Sequence, residues 1–233
     1  MEPMQMALPV TLPDDETYVS YFGGEQSLEV SHLKSAFAAR EKQFQFTYLC
    51  GLADSGKSHL LYATCVYAQD LGLSTMLLSL REVLDYGPAV LDGLENLDVV
   101  CIDDMQLVAG YEQWEKGLFN FFNRFNEPGK LLVIAADLLP NMLNLVLPDL
   151  ESRLTWGTTF QIRSMSDDDK AEALVKRAKM RGLELSDDCA RFLLTRLSRD
   201  MRALLDVLDK LDHASMAAQR KLTIPFIKST LGL

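Results

Sequence analysis

The chain has 233 residues, room for one domain or for one large and one small. At 48% hydrophobic and 24% charged it has an ordinary globular composition, with enough apolar surface to form a core without staples. Its 33 acidic residues outnumber 23 basic ones, and the formal net charge of −10 speaks against a broad electrostatic grip on duplex DNA, which rests on basic residues displacing counterions.

Residues 1–13 carry three prolines and no clear period, so they are expected to form an extended tail. From about Asp14 to Ser164, apolar strands alternate with amphipathic helices. Phe46–Cys50 is a short apolar run bounded by Gly51, hence a buried strand. Lys57 to Leu71 has helical spacing and ends at Gly72. Thr75–Leu80 and Asp98–Ile102 are strands. Glu112–Phe125 is a helix closed by Pro128 and Gly129, and its Trp114, Phe119, Phe121, Phe122 and Phe125 are spaced as a buried face. Leu131–Ala135 and Thr158–Ile162 complete five strands. Continuous apolar strands alternating with helices predict a parallel sheet covered on both faces, an α/β fold.

After Ser164 the pattern becomes all-helical. Ser166 with Asp167, Asp168 and Asp169 caps a helix that stops at Gly182, so these carboxylates are read as a cap and not a metal site. Ser186 opens a second helix, Asp200 to Ala218 forms a third, and Thr223 with Pro225 starts a fourth. The expected organisation is a tail (1–13), an αβα nucleotide-binding domain (14–164) and a small helical domain (165–233).

Cys50, Cys65, Cys101 and Cys189 form no C-x-x-C pair and are expected as small core residues in a reducing cytosol. His32, His59 and His213 make no ligand motif. The start, Met1-Glu2-Pro3, has no basic or apolar leader, and no apolar run approaches the ~20 residues of a membrane span. The expectation is a cytoplasmic protein with no membrane partner.

The chemistry is carried by Gly51-Leu52-Ala53-Asp54-Ser55-Gly56-Lys57-Ser58, which fits G-x-x-x-x-G-K-[ST] after a strand and before a helix. Backbone N–H groups from this loop and the helix N-terminus suit phosphate oxygens. Lys57 would reach the β- and γ-phosphates, and Ser58 would offer its hydroxyl to Mg²⁺. The strand Val99–Ile102 ends in Asp103 and Asp104. Asp103 is the candidate to hold Mg²⁺ through water, and Asp104 to orient or deprotonate an attacking water. Asp54 stands at a loop position where many P-loops have Gly, and Asp104 is one methylene shorter than the Glu common in P-loop ATPases. Both predict feeble hydrolysis by the isolated chain, with ADP rather than ATP as the working ligand.

Further motifs extend this pattern. Residues 51–61, 99–110 (Val-Val-Cys-Ile-Asp-Asp-Met-Gln-Leu-Val-Ala-Gly), 122–130, 147–157 (Leu-Pro-Asp-Leu-Glu-Ser-Arg-Leu-Thr-Trp-Gly) and 199–204 (Arg-Asp-Met-Arg-Ala-Leu) resemble, in the same order, the AAA+ module of the bacterial replication initiator DnaA. The likeness covers roughly residues 14–233. No room is left for the initiator's C-terminal helix-turn-helix domain, so the resemblance is to the shorter initiator homologues that regulate initiation. It implies a P-loop AAA+ fold with a helical lid. It also implies a nucleotide-bound negative regulator that tethers to the DNA-loaded sliding clamp and makes DnaA hydrolyse its ATP. DNA would then be met only through the clamp.

The resemblance also implies roles. Arg153 matches the arginine finger that acts in trans, Arg202 matches sensor II and Asp137 sensor I. Gly51, Asp54, Ser55, Gly56, Lys57, Ser58 and His59 belong to the nucleotide site, although His59 reads more as helix packing than as chemistry. Tyr21 and Phe22 are expected beside the base or in the core. Gln5-Met6-Ala7-Leu8-Pro9 is similar to the Q-x-x-L-[FP] peptide that docks in the clamp, with Gln5, Met6, Leu8 and Pro9 as contacts. The alternative is a stand-alone AAA+ ATPase, a loader or remodeller acting in replication. Contacts with DnaA or with a second copy of the chain both stay open.

Overall fold

The computed structural model describes residues 16–197, 200–218 and 220–233. The chain divides into two compact units, the first ending at Ile162 and the second running from Arg163 to Leu233.

In the first unit the strands are β1 (Gln45–Cys50), β2 (Thr75–Ser79), β3 (Val99–Asp103), β4 (Leu131–Ala136) and β5 (Thr158–Gln161). They form one parallel sheet in the order β2-β3-β4-β1-β5. The helices of this unit are α1 (Leu28–Ala39), α2 (Lys57–Asp70), the short α3 (Leu80–Val83), α4 (Glu112–Phe125) and α5 (Pro148–Leu154).

Period-2 alternation divides the strand residues between two cores. Tyr48, Val100, Ile102, Leu132 and Ile134 face one side, where Trp114, Phe121, Phe122 and Phe125 of α4 pack. Leu49, Val99, Cys101, Leu131 and Val133 face the other, against Leu33 and Phe37 of α1 and Leu60 and Leu61 of α2. Burying each such large apolar side chain contributes roughly 1.5–3 kcal/mol before chain entropy is counted. The sheet is therefore covered on both faces, as the unbroken apolar strands predict. Phe119 differs from its neighbours on α4 in being only partly buried.

α1 has no counterpart among the predicted elements. Ser27 starts it by accepting the N–H of Val30, and Val30, Leu33, Ala36 and Phe37 bury one face. The segment between β2 and β3 also escapes a simple period, because after α3 it runs through three short 3₁₀ turns, Leu84–Tyr86, Pro88–Leu91 and Leu94–Asn96.

The second unit holds α6 (Asp167–Met180), α7 (Asp187–Arg196), α8 (Met201–Ala218) and α9 (Ile224–Leu231) around Leu174, Leu193, Leu204, Leu208, Leu211 and Ile227. Its boundaries follow from local chemistry. Ser166 and Asp169 form a reciprocal capping box, Ser186 accepts the N–H of Cys189, and Thr223 accepts that of Phe226 ahead of Pro225. All four cysteines are buried free thiols. Among the described residues, no helix is long and apolar enough to cross a membrane.

Candidate functional site

Parallel α/β sheets place ligands at the carboxyl ends of their strands, where the chain order reverses. Here β1 lies between β4 and β5, while its own continuation leads through α2 to β2 at the far edge. The loop 51–56 stands at that end of β1. Gly56 has φ +93° and faces the ring of Tyr21, which an added Cβ would meet at 3.1 Å. Asp54 has φ +58°, a backbone that Asp tolerates better than most residues, as expected for its place in the loop. α2 starts at Lys57, and its N-cap Gly56 offers no side-chain oxygen to the helix's first N–H groups. Ser55 Oγ is buried and, among the described residues, has no hydrogen-bond partner.

Lys57 is buried, and a buried ammonium must be matched by acceptors. Its Nζ donates to the carbonyl of Gly51, to that of Leu52 at 3.0 Å and to Asp137 Oδ1 at 3.1 Å. Asp137 follows the last residue of β4, so the strand end supplies the lysine's counter-charge.

Ser58 Oγ donates to Asp103 Oδ2 at 2.6 Å, and Asp103 Oδ1 accepts the N–H of Asp104 at 2.8 Å. Burial raises the Asp103 carboxyl above its ordinary range, against the opposing pull of the Ser58 and Asp104 hydrogen bonds and the Lys57 charge. Asp104 is left-handed at φ +59°. Arg81 Nε and Nη2 grip its two carboxylate oxygens at 3.1 and 3.2 Å, and Gln106 Nε2 donates to Oδ1 at 2.9 Å. Gln106 Oε1 accepts the N–H of Asp137 at 3.2 Å, which joins the ends of β3 and β4. The carboxylate nominated for an attacking water is thus held by a guanidinium and an amide.

Arg81 and Gln106 were not among the expected site residues. Gln106 lies within the strand–acid motif, two positions after Asp104, whereas nothing near Arg81 marks it. Glu115 was also missed. It is fully buried on α4 and accepts the N–H groups of Gly110 at 2.8 Å and Leu147 at 2.7 Å, tying the approach to α4 to the start of α5.

His59 donates through Nε2 to the carbonyl of Thr17 at 2.9 Å and lies 3.2 Å from Ser20 Oγ. Tyr21 is buried beside it, ring centroids 5.6 Å apart, and donates to Glu29 at 2.9 Å. His59 thus packs the segment around residue 20 onto α2, Tyr21 lies against the loop at Gly56, and Phe22 is half-buried. Arg153, half-buried on α5, has its guanidinium carbon 3.9 Å from the ring centroid of Trp156 and 5.8 Å from that of Phe119. Arg202 is exposed in the first turn of α8, in the second unit. Gln5, Met6, Leu8 and Pro9 lie outside the described residues.

A P-loop on a parallel sheet of this order, with acids at the end of β3 and a separate helical unit, defines the chain as an AAA+ protein of the P-loop class. Residues 89–161 match the model of the bacterial DnaA ATPase domain, and residues 167–231 match that of the Hda lid domain. The chain is a DnaA-like protein with an Hda-type lid.

Solved structures agree with the fold. Domain III of the Thermotoga maritima replication initiation protein DnaA superposes with a TM-score of 0.70 at 20% identity, covering 95% of this chain and 98% of that one. AMPPCP-bound DnaA from Aquifex aeolicus gives 0.66 at 22%, covering 85% of this chain but only 66% of the longer initiator. The Thermotoga maritima RuvB Holliday junction branch migration motor gives 0.61 at 16%, over 91% and 73%.

Proposed function

We propose that the chain is a nucleotide-bound negative regulator of replication initiation. In this reading it tethers to the DNA-loaded sliding clamp through Gln5, Met6, Leu8 and Pro9, and it supplies Arg153 to stimulate hydrolysis of ATP held by the initiator DnaA. The observation that carries the reading is a formed phosphate cradle whose second acid, Asp104, is already gripped by Arg81 and Gln106. Such a site suits holding a nucleotide more than turning it over.

The residues fit a nucleoside diphosphate or triphosphate. The start of α2 after Gly56, the Ser55 hydroxyl, which has no partner among the described residues, and the Lys57 ammonium are donors suited to phosphate oxygens, with Gly51, Asp54 and Gly56 shaping the turn. Ser58 and Asp103 are the oxygen donors suited to Mg²⁺, directly and through water. Bound there, Mg²⁺ would neutralise phosphate charge. Tyr21 lies against the loop and is placed to wall the site, with Phe22 next to it; His59 holds that wall to α2. Arg202 is assigned to the bound phosphates and Asp137 to the γ-phosphate side, where it also restrains Lys57.

The match to the Hda lid model supports a regulator over a loader. AMPPCP in the Aquifex aeolicus DnaA structure, a protein of the same fold, supports a nucleotide as the ligand. Arg153 supports action in trans, because among the described residues no carboxylate occupies its guanidinium. A guanidinium given to a neighbour's γ-phosphate stabilises charge as the phosphoryl group leaves, worth roughly 10³–10⁵ in rate.

A reconstituted assay tests this. DnaA is loaded with labelled ATP, the clamp is placed on DNA, and the chain is added with ADP. Wild type should accelerate hydrolysis, and Arg153→Ala should remove roughly 10³-fold or more of that acceleration. A Gln5→Ala/Leu8→Ala variant should need far more protein for the same effect. Unchanged hydrolysis from a chain that still binds nucleotide tightly would displace this reading in favour of the stand-alone ATPase.

A further inference from the structure

We propose that Trp156 is the positioning residue for Arg153, an aromatic platform that holds the guanidinium by its face and leaves its N–H edge open to an anion on a partner. The inference rests on the assignment of Arg153 as the group delivered in trans, and it adds the side chain that aims it.

Three observations carry it. First, the guanidinium carbon lies 3.9 Å from the ring centroid of Trp156. That distance is too short for an approach in the ring plane, so the cation sits over the π-face, where the ring quadrupole attracts it. A guanidinium carries its five donors in its own plane. Contact through the face therefore orients the group without using the hydrogen bonds that phosphate oxygens require. A carboxylate partner would do the reverse, and among the described residues Arg153 has none.

Second, the platform is fixed. The N–H of Trp156 donates to the carbonyl of Arg153 at 3.1 Å, a turn that brings the ring under the guanidinium. At the next position, a Cβ on Gly157 would meet the carbonyl oxygen of Phe46 at 2.2 Å, so the chain there is pressed onto β1 and only glycine fits. The indole also meets Phe122 edge-on, with centroids 6.1 Å apart and planes at 80°. Phe122 belongs to the buried face of α4, so the ring is braced from the core.

Third, Trp156 is 55% exposed although it is a large aromatic residue. Core packing braces it from one side and does not account for the side left open. A long arginine loses much rotamer freedom when it is fixed on a phosphate. Holding it over the indole beforehand removes part of that loss at the moment of reaction.

The test uses the full chain in the DnaA–clamp–DNA assay. Trp156→Ala should lower the maximal stimulated rate by about three- to tenfold, the range expected for a partly exposed cation–π contact. The concentration giving half-maximal stimulation should stay put, and Trp156→Phe should recover most of the rate. A second readout needs no partner. A positive charge over an indole shifts its emission, so Arg153→Ala should shift the fluorescence of the free chain and leave the spectrum unchanged in a Trp156→Ala background, where Trp114 alone emits. Unfolding midpoints check that the variants fold.

Loss of stimulation in Arg153→Ala with a normal rate in Trp156→Ala would overturn the platform while leaving the finger intact. So would a Trp156→Ala effect confined to the half-maximal concentration, the mark of a mere contact surface, or an emission unmoved by Arg153→Ala. Full stimulation by Arg153→Ala would instead overturn the finger itself, and the platform with it.

Discussion

Two arginines of the first unit sit in opposite surroundings. At the end of β3, Arg81 places the edge of its fork on both oxygens of Asp104, and Gln106 adds a third bond to the same carboxylate. On α5, Arg153 lies over an indole and meets no carboxylate among the described residues. The first arrangement commits guanidinium donors to a carboxylate of the same chain. The second uses only the cation's face and keeps its donors. The side chain is the same, and the neighbour decides whether its donors are engaged or left open.

The largest effect is expected from Glu115→Ala, which removes the buried carboxylate that holds the Gly110 N–H ahead of α4 and the Leu147 N–H at the start of α5. Two stranded donors and a cavity should cost roughly 3–5 kcal/mol, read from denaturant unfolding. A loss below about 1 kcal/mol would mean that water replaces the carboxylate without penalty. Next comes Lys57→Ala. Loss of a charge-assisted contact to phosphate should weaken nucleotide binding by about 10- to 100-fold in calorimetry, and affinity within twofold of wild type would contradict the cradle.

The smallest effect on the fold is expected from Arg81→Ala. The pair is largely exposed on the arginine side, so stability should move by less than about 1 kcal/mol. Its functional effect is the sharper one: Asp104 is released and ATP hydrolysis by the chain alone should rise several-fold in a steady-state assay. Equal turnover in variant and wild type would show that this ion pair is not what restrains the site.

Much of this architecture could be read from residue order because the signals are local. The strand runs, the helix Glu112–Phe125 and the caps at Ser166, Ser186 and Thr223 depend on neighbours within a few positions, and the structure places them within a residue or two of expectation. The left-handed backbone of Asp54 is of the same kind. Contacts between segments distant in sequence were not legible. Arg81 and Asp104 are 23 residues apart and Glu115 and Leu147 are 32, and no period or motif links them. α1 stayed hidden because its apolar face is short, with only Val30, Leu33, Ala36 and Phe37 buried, and because only Ser27 marks its start. Trp156 could be quoted within a motif, yet its service to a residue three positions earlier needs the turn that folds it back.

The packing of the first described residues has a mechanical side. Thr17 and Ser20 are fastened to His59, the Tyr18 hydroxyl lies 2.8 Å from Thr64, and Tyr21 rests on Gly56. All of these anchor points belong to the phosphate loop or to the helix it opens. A pull on the beginning of the chain would therefore load α2 and not a peripheral loop. Tension applied at Thr17 would be felt first by the loop 51–56 and the first turns of α2.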